Sequence, residues 1–372
     1  MHLRARKRLR QRAARIAGAG LLFAFPAAAQ LAPAPTPAGD WPRATPEEAG
    51  FDASALRRFT ADLQAGRLLT GLHCLLIVRR GYLVVEECPG GQRADEVHML
   101  QSVSKSVASA LVGIAIERGD FQGTGEKVLA FFPHANIQNL DSHKRALRIE
   151  DLLTMRSGTD YHERGPGSPH RRLNRLSEGW DRFYLNRPME ARPGTRFQYD
   201  SGAVILMSSM LKQRTGLHAD SYADKYLFVP MGITARRWLR NAEGHPHTGG
   251  GLSLSARDMA KFGLLYLRGG KWGERQIVPE AWVRESTRAH VRFKERRFHR
   301  ATGYGYWWWI LEPVRRDGAA QRVYGALGHG GQHILVAPAH DLVVVTTAGM
   351  NRDMHRAVDV LYTHILPALS PG

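Results

Sequence analysis

The chain has 372 residues, 52 Lys and Arg against 34 Asp and Glu, and two cysteines. Hydrophobic residues make up 43% of it, which supports a large core and excludes wholesale disorder as well as a disulfide-dense miniprotein. The basic excess forms no stripe on a recognisable nucleic-acid module, so no nucleic-acid partner is expected.

Residues 1–29 hold seven Lys or Arg, no acid, an apolar stretch over 16–25, and Ala27-Ala28-Ala29 before Gln30. That is the pattern of a signal peptide, with cleavage expected after Ala29. Its apolar core is short for a bilayer span, so no stable membrane anchor is expected after cleavage. The expected location is a periplasm or the medium. Removal leaves 45 basic against 34 acidic residues, a net charge of about +11. Residues 30–40, rich in Ala and Pro, read as a flexible leader.

A helix is expected from about Asp52, then a hairpin over His73 to Glu87 turning at Arg80-Gly81. A two-residue turn pairs Cys74 with Glu87 and sends Cys88 to the opposite face, which tells against a disulfide. A longer turn would place the cysteines on one face, but diagonally. Their spacing does not suggest a metal site.

Ser102-Val103-Ser104-Lys105 follows, at the start of a nearly all-apolar helix through Val107, Leu111, Val112, Ile114 and Ile116, with Gly119 as a stop. Residues three apart share a helix face. A serine hydroxyl needs a neighbouring base to become a nucleophile, and a lysine in an apolar pocket loses proton affinity and can be that base. Free N–H groups at a helix start favour the oxyanion of acyl transfer. Serine is also a favoured helix cap, so position alone leaves both readings open. Ser209-Met210-Leu211-Lys212 has the same spacing but falls mid-helix, where its hydroxyl can bond back to the preceding turn.

Three further features have ordinary explanations. His245-Pro246-His247 reads as a surface loop, and no metal or cofactor is called for. Residues 288–300, with Arg292, Lys294, Arg296, Arg297 and Arg300, read as a solvated loop. Trp307-Trp308-Trp309 alternates faces of a strand, mostly in the core, with one face available to a pocket. Near the C-terminus, 334–337 and 342–348 read as antiparallel strands, with a helix from about Arg352.

Three separated motifs carry a resemblance. Ser102-Val103-Ser104-Lys105, Tyr199-Asp200-Ser201-Gly202 and His329-Gly330-Gly331 follow the order of motifs in serine β-lactamases and penicillin-binding proteins. The chain resembles a β-lactamase-related serine hydrolase from about Trp41 to the C-terminus. It departs where class C β-lactamases have an asparagine two residues after the tyrosine and a lysine, threonine, glycine third motif. Those departures are similar to the esterase and 6-aminohexanoate-dimer hydrolase branch.

The resemblance implies an α+β fold, an antiparallel sheet flanked by helices with an inserted mainly helical lobe. The sheet lobe would span about 41–100 and 245–372, the helical lobe about 101–244. It implies acylation of Ser102, proton transfer by Lys105 and Tyr199, and an oxyanion hole from the backbone N–H groups of Ser102 and Gln332. His329 would contact substrate or merely fill its motif position. Gly330 and Gly331 would permit close approach of the strand to substrate. Tyr161, just past Gly158, would form part of the pocket rim or be ordinary packing. The expected partner is a small ester, linear amide or peptide substrate. D-alanyl-D-alanine carboxypeptidase, weak β-lactamase and noncatalytic penicillin-binding-like sensor are the alternatives.

Overall fold

The computed structural model describes residues 31–37, 39–297, 300–316, 318–350, 354 and 356–370. The signal-peptide expectation at 1–29 lies outside them. The runs Leu72–Arg79 (β1) and Leu342–Ala348 are too continuously apolar for a sheet with one wet face. They lie side by side as the second and third strands from one edge of an eight-stranded antiparallel sheet.

The other strands of that sheet are Tyr82–Glu87 (β2), Val291–Arg297, Ala301–Tyr304, Trp309–Leu311, Tyr324–Gly328 and Gln332–Ala337. A small sheet pairs Val97–Met99 (β3), Arg236–Trp238 (β4) and Leu252–Ser255 (β5), the last in the middle. Continuing in chain order, the remaining large-sheet strands from Val291 onward are β6 to β11. The large sheet then runs β2-β1-β11-β10-β9-β8-β7-β6.

Helix α1 (Ala53–Gln64) starts where Asp52 accepts the N–H groups of Ser54 and Ala55. Helix α2 (Val103–Glu117) is buried from Val103 to Ala115, as its all-apolar sequence requires, and Gly119 beyond it has φ +75°. Helix α3 (Ser201–Thr215) and several short helices build the helical lobe. Helix α4 (Ala256–Leu267), capped by the Ser255 hydroxyl on the Asp258 N–H, lies across β1, β10 and β11. Helix α5 (Arg356–Val360) and the turn of helix after it close the chain against α1 and β10. The start of that helix at Arg352 lies outside the described residues. No described helix is long and apolar enough to cross a membrane.

Four expectations change. Cys74 and Cys88 are disulfide-bonded, with Cα atoms 4.0 Å apart. The turn at Arg80-Gly81 is the two-residue turn expected, with φ +51° and +85°. A bulge intervenes, however: Val78 pairs with Leu83 but Ile77 pairs with Val85. The extra residue shifts the register by one, so Leu75 faces Glu87 and Cys74 faces Cys88 rather than Glu87.

The leader is held rather than free. The Ala34 N–H donates to Arg80 O, while Arg268 donates to Ala34 O and to the Thr36 hydroxyl. The basic stretch at 291–297 is strand β6, not a loop, because Phe293 packs on Phe197 and Trp309. The tryptophan run is not one strand either. Trp307 is a left-handed turn residue (φ +60°) and β8 begins only at Trp309. Trp307 nevertheless joins the lobes, donating its indole N–H to Leu152 O and accepting the Ser106 hydroxyl on its carbonyl.

Candidate active site

Ser102 occupies the N-cap position of α2, yet its side chain makes no capping bond. Its Oγ instead receives the Lys105 Nζ at 2.8 Å, one turn along the same buried helix. Lys105 is 1% exposed, and its Nζ also donates to Gly249 O at 2.5 Å and lies 5.0 Å from the centre of the Tyr199 ring. Among the described residues no carboxylate is bonded to it. Burial therefore pushes its pKa down to about 8, although the nearby Glu163 and Asp200 carboxylates pull it back up.

Tyr199 is partly buried, stacked on Trp309 at 5.6 Å and edge-on to Tyr304. Burial raises its pKa far above that of a free phenol, Glu163 raises it further, and a hydrogen bond with Ser102 partly offsets both. The phenol is thus neutral at pH 7, whereas Lys105, still mostly protonated there, begins to release its proton as the pH approaches 8. Of the two, only the lysine is poised to accept a proton.

The next residue, Asp200, caps α3 through the Ala203 N–H and accepts the hydroxyls of Tyr184 (2.6 Å) and Ser157 (3.0 Å). Burial pushes its pKa up to about 7. Gly202 cannot be larger, because a Cβ would sit 2.5 Å from the Tyr184 ring and 2.7 Å from that of Tyr161. The second motif is therefore a helix start locked beneath Tyr199.

Two cavities meet at Ser102. The larger, about 690 Å³, runs between Met99, His170, Asn174, Trp180 and His247, with the exposed Leu176 and Leu239 also lining it. The smaller, about 340 Å³, is lined by Arg164, Tyr199, Trp309, Leu327, Gly328 and Met354. Ser102, Glu163 and His329 line both.

The third motif differs in detail from expectation. Residues 329–331 are the turn between β9 and β10, and Gly328 pairs with Gln332. Gly330 and Gly331 have φ +83° and +95°, so they are glycines for the sake of the turn. Neither lines either of the two cavities at Ser102. Gln332 is buried, its side-chain amide bonded to the carbonyls of Ala348 and His329. It also lines neither cavity, whereas Gly328 and His329 do. Among the described residues, the backbone N–H groups of Ser102 and His329 donate to no backbone carbonyl. His329, three residues before Gln332, is thus the residue of the third motif that lines the cavities with Ser102.

Tyr161 lies beneath the rim, fully buried, with its hydroxyl 2.9 Å from His170 Nδ1. Sequence reasoning missed His170, Asn174, His247 and Glu163. His170 Nε2 is 3.1 Å from Asn174 Nδ2, and Asn174 Oδ1 is 3.1 Å from His247 Nε2. Burial lowers the pKa of both histidines, His247 to about 4, so this chain of bonds is neutral. His247 is therefore cavity wall rather than surface loop. The sequence carried no signal for these residues, since they come from loops that meet only in space. Among the described residues, no group of three metal-ligating side chains occurs.

A family model described as Beta-lactamase matches residues 56–362. The chain belongs to the beta-lactamase family. It is 25% identical over 318 residues to a 6-aminohexanoate-dimer hydrolase of Paenarthrobacter ureafaciens, covering 81% of this chain and 79% of that one. Its fold is similar to a class C beta-lactamase from Rhodobacter sphaeroides (TM-score 0.61, 18% identity, 84% of this chain and 99% of that). It is also similar to EstCE1, a hydrolase with promiscuous acyltransferase activity (TM-score 0.65, 18% identity, 82% and 98%). The protein is a serine hydrolase of this family, with the antiparallel sheet and helices the motifs implied.

Proposed function

We propose that this protein is an exported hydrolase that cleaves a small ester or linear amide through an acyl-enzyme on Ser102. The observation that carries the reading is the 2.8 Å contact between the Ser102 hydroxyl and a buried Lys105 whose pKa lies near 8. In its neutral form the amine keeps an N–H for Gly249 O and offers its lone pair to the Ser102 proton. Oγ then attacks the substrate carbonyl, and the backbone N–H groups of Ser102 and His329 receive the developing oxyanion. The proton passes from Lys105 through the neutral Tyr199 hydroxyl to the leaving oxygen or nitrogen. Water finally cleaves the acyl-enzyme and the proton returns to Ser102.

The 6-aminohexanoate-dimer hydrolase relative supports an amide or ester substrate. Export is supported by the pattern of residues 1–29 and by the Cys74–Cys88 disulfide, a bond at home in an oxidising compartment. A carboxylate-terminated peptide, as in a D-alanyl-D-alanine carboxypeptidase, is the second reading. It is favoured by the Arg164 guanidinium in the smaller lobe, where the third motif has no lysine.

Intact mass after brief exposure to a fluorophosphonate tests the nucleophile without knowledge of the substrate. A single adduct on the wild type, absent from a folded Ser102→Ala variant, is expected. An adduct that persists in the variant would move the nucleophile elsewhere, and no adduct on either protein would favour a noncatalytic binding role.

A further inference from the structure

His73 and His98 line neither cavity at Ser102, and their rings share a hydrogen bond between nitrogens, His73 Nδ1 and His98 Nε2, at 2.9 Å. Leu72 pairs with Ala348 and Cys74 with Thr347, which leaves His73 as the extra residue of a bulge in β1. A bulge re-aims the side chain it carries, and the next residue is locked by the Cys74–Cys88 bond. His98 is the middle residue of β3, and its Nδ1 lies 3.1 Å from the Met99 carbonyl oxygen. The carbonyl takes the Nδ1–H, so in the neutral ring the lone pair of His98 is on Nε2, facing His73. The His73 ring lies against the backbone of two glycines: a Cβ at Gly349 would be 3.2 Å from its Nε2, and one at Gly90 3.3 Å from its Cδ2.

Two other histidine pairs are built differently. His218 and His245 meet edge to face with ring centres 5.2 Å apart; burial lowers the pKa of His218, and Lys212 and Arg240 lower it further. His170 and His247 are joined through Asn174, and Lys105 adds to the effect of burial on both. A lysine or arginine that repels a proton repels a metal ion as well. At His73 burial lowers the pKa, and the charged neighbour that adds to it is His98 itself. Both rings of this pair are half-buried, which leaves one side open to water.

We propose that His73 Nδ1 and His98 Nε2 form a binding site for a divalent transition-metal ion of the zinc, nickel or copper class, with water completing its shell. Imidazole suits these ions, whereas magnesium and calcium prefer oxygen. The ion takes the place of the hydrogen between the rings. In a neutral pair the His73 proton moves from Nδ1 to Nε2, which leaves a lone pair on each of the facing nitrogens. The Met99 carbonyl then orients His98 as a supporting acceptor orients a metal-bound histidine. The ion ties β1 of the large sheet to β3 of the small one, the strand that leads into Ser102. The site stands independently of the role given to Ser102.

The test is isothermal titration of the untagged mature protein with Zn2+ in a non-chelating buffer at neutral pH, beside His73→Gln, His98→Gln and His245→Gln. We expect the tightest site of the wild type to hold one ion. Its affinity should fall by at least about tenfold in His73→Gln and in His98→Gln, since even a lost supporting contact weakens a metal site on that scale. His245→Gln should bind as the wild type does, and Mg2+ should not compete. No binding by the wild type, or a tightest site that survives in either of the first two variants, overturns the proposal. Diethylpyrocarbonate reads the same site in the unsubstituted protein, so the result does not depend on the variants folding. Without metal His73 offers the lone pair of Nε2 to the reagent; with Zn2+ on Nδ1 that nitrogen carries the proton. Peptide masses should therefore show His73 protected by Zn2+, and a His73 that reacts equally with and without the ion overturns the proposal.

Discussion

Ser102-Val103-Ser104-Lys105 and Ser209-Met210-Leu211-Lys212 share one spacing, and each lies in or just before a buried helix of 15 residues. In the first, the serine precedes the helix and the lysine is enclosed one turn later, with a hydroxyl and a single carbonyl as partners. In the second, the serine is mid-helix and Lys212 lies in the last turn, donating to Gly216 O at 2.8 Å. A lysine there meets the negative end of the helix and stays solvated. Lys144 gives a third case: it is 2% exposed, but its Nζ donates to the carbonyls of Gln138, Leu185 and Arg187. Burial lowers the pKa of Lys144 too, but three carbonyl acceptors suit an ammonium, whereas one carbonyl and a hydroxyl leave room for an amine. Spacing alone does not make a base; where the helix starts and what surrounds the lysine do.

The largest expected effect separates the two serines. Ser102→Ala should lower kcat for a 4-nitrophenyl ester by roughly 10³-fold or more, whereas Ser209→Ala should stay within about threefold of wild type. Comparable losses in both variants, measured on protein with matched thermal transitions, would erase the distinction drawn between them. Next come the lysines. Lys105→Ala should slow acylation by roughly 10²- to 10⁴-fold, the scale of a lost general base. In the wild type, Lys105 holds its proton below pH 8 and releases it above. The acylation rate should therefore climb with pH and level off above about pH 8. In Lys105→Arg this limb should vanish, because a guanidinium keeps its proton throughout. A limb that persists in that variant assigns it to another group.

Lys144 sharpens the comparison from the side of stability. Lys144→Met would remove the donor from three carbonyls enclosed in the helical lobe. It should cost about 3 kcal/mol, read as a lower urea midpoint at unchanged slope. Activity per folded molecule should survive, since Lys144 lines neither cavity. A loss of activity in step with that of Lys105→Ala would mean that buried lysines here act alike whatever their partners.

Much of this was legible in the residues. The nearly all-apolar run after Lys105 announced a buried helix, and the runs at 334–337 and 342–348 announced antiparallel strands. The order of the three motifs announced the family. What escaped was set by single-residue geometry or by distant segments meeting in space. One bulged residue in β2 reversed the cysteine register, and a turn over 329–331 moved the strand end that faces Ser102. Pattern of period two cannot register an inserted residue, because each side of the bulge still alternates. Glu163, Asn174 and His247 come from loops that converge on one cleft, and no local signal marks a loop residue for a partner some 70 positions away.

The smallest effect is the most exacting for the comparison. Lys212 makes one hydrogen bond to the carbonyl beyond its own helix, at the C-terminal end where a positive charge is favoured. Lys212→Ala should cost only about 0.5 kcal/mol, a value expected to shrink in salt because the site is partly solvated. The pH limb should remain where it is in the wild type, since Lys212 does not touch the cleft. If instead the limb moved by a full pH unit, charge at the end of α3 would be reaching Lys105 through the helix that carries Asp200 at its other end. The burial of Lys105 would then not be the main cause of its low proton affinity, and the contrast between the two motifs would lose its physical basis.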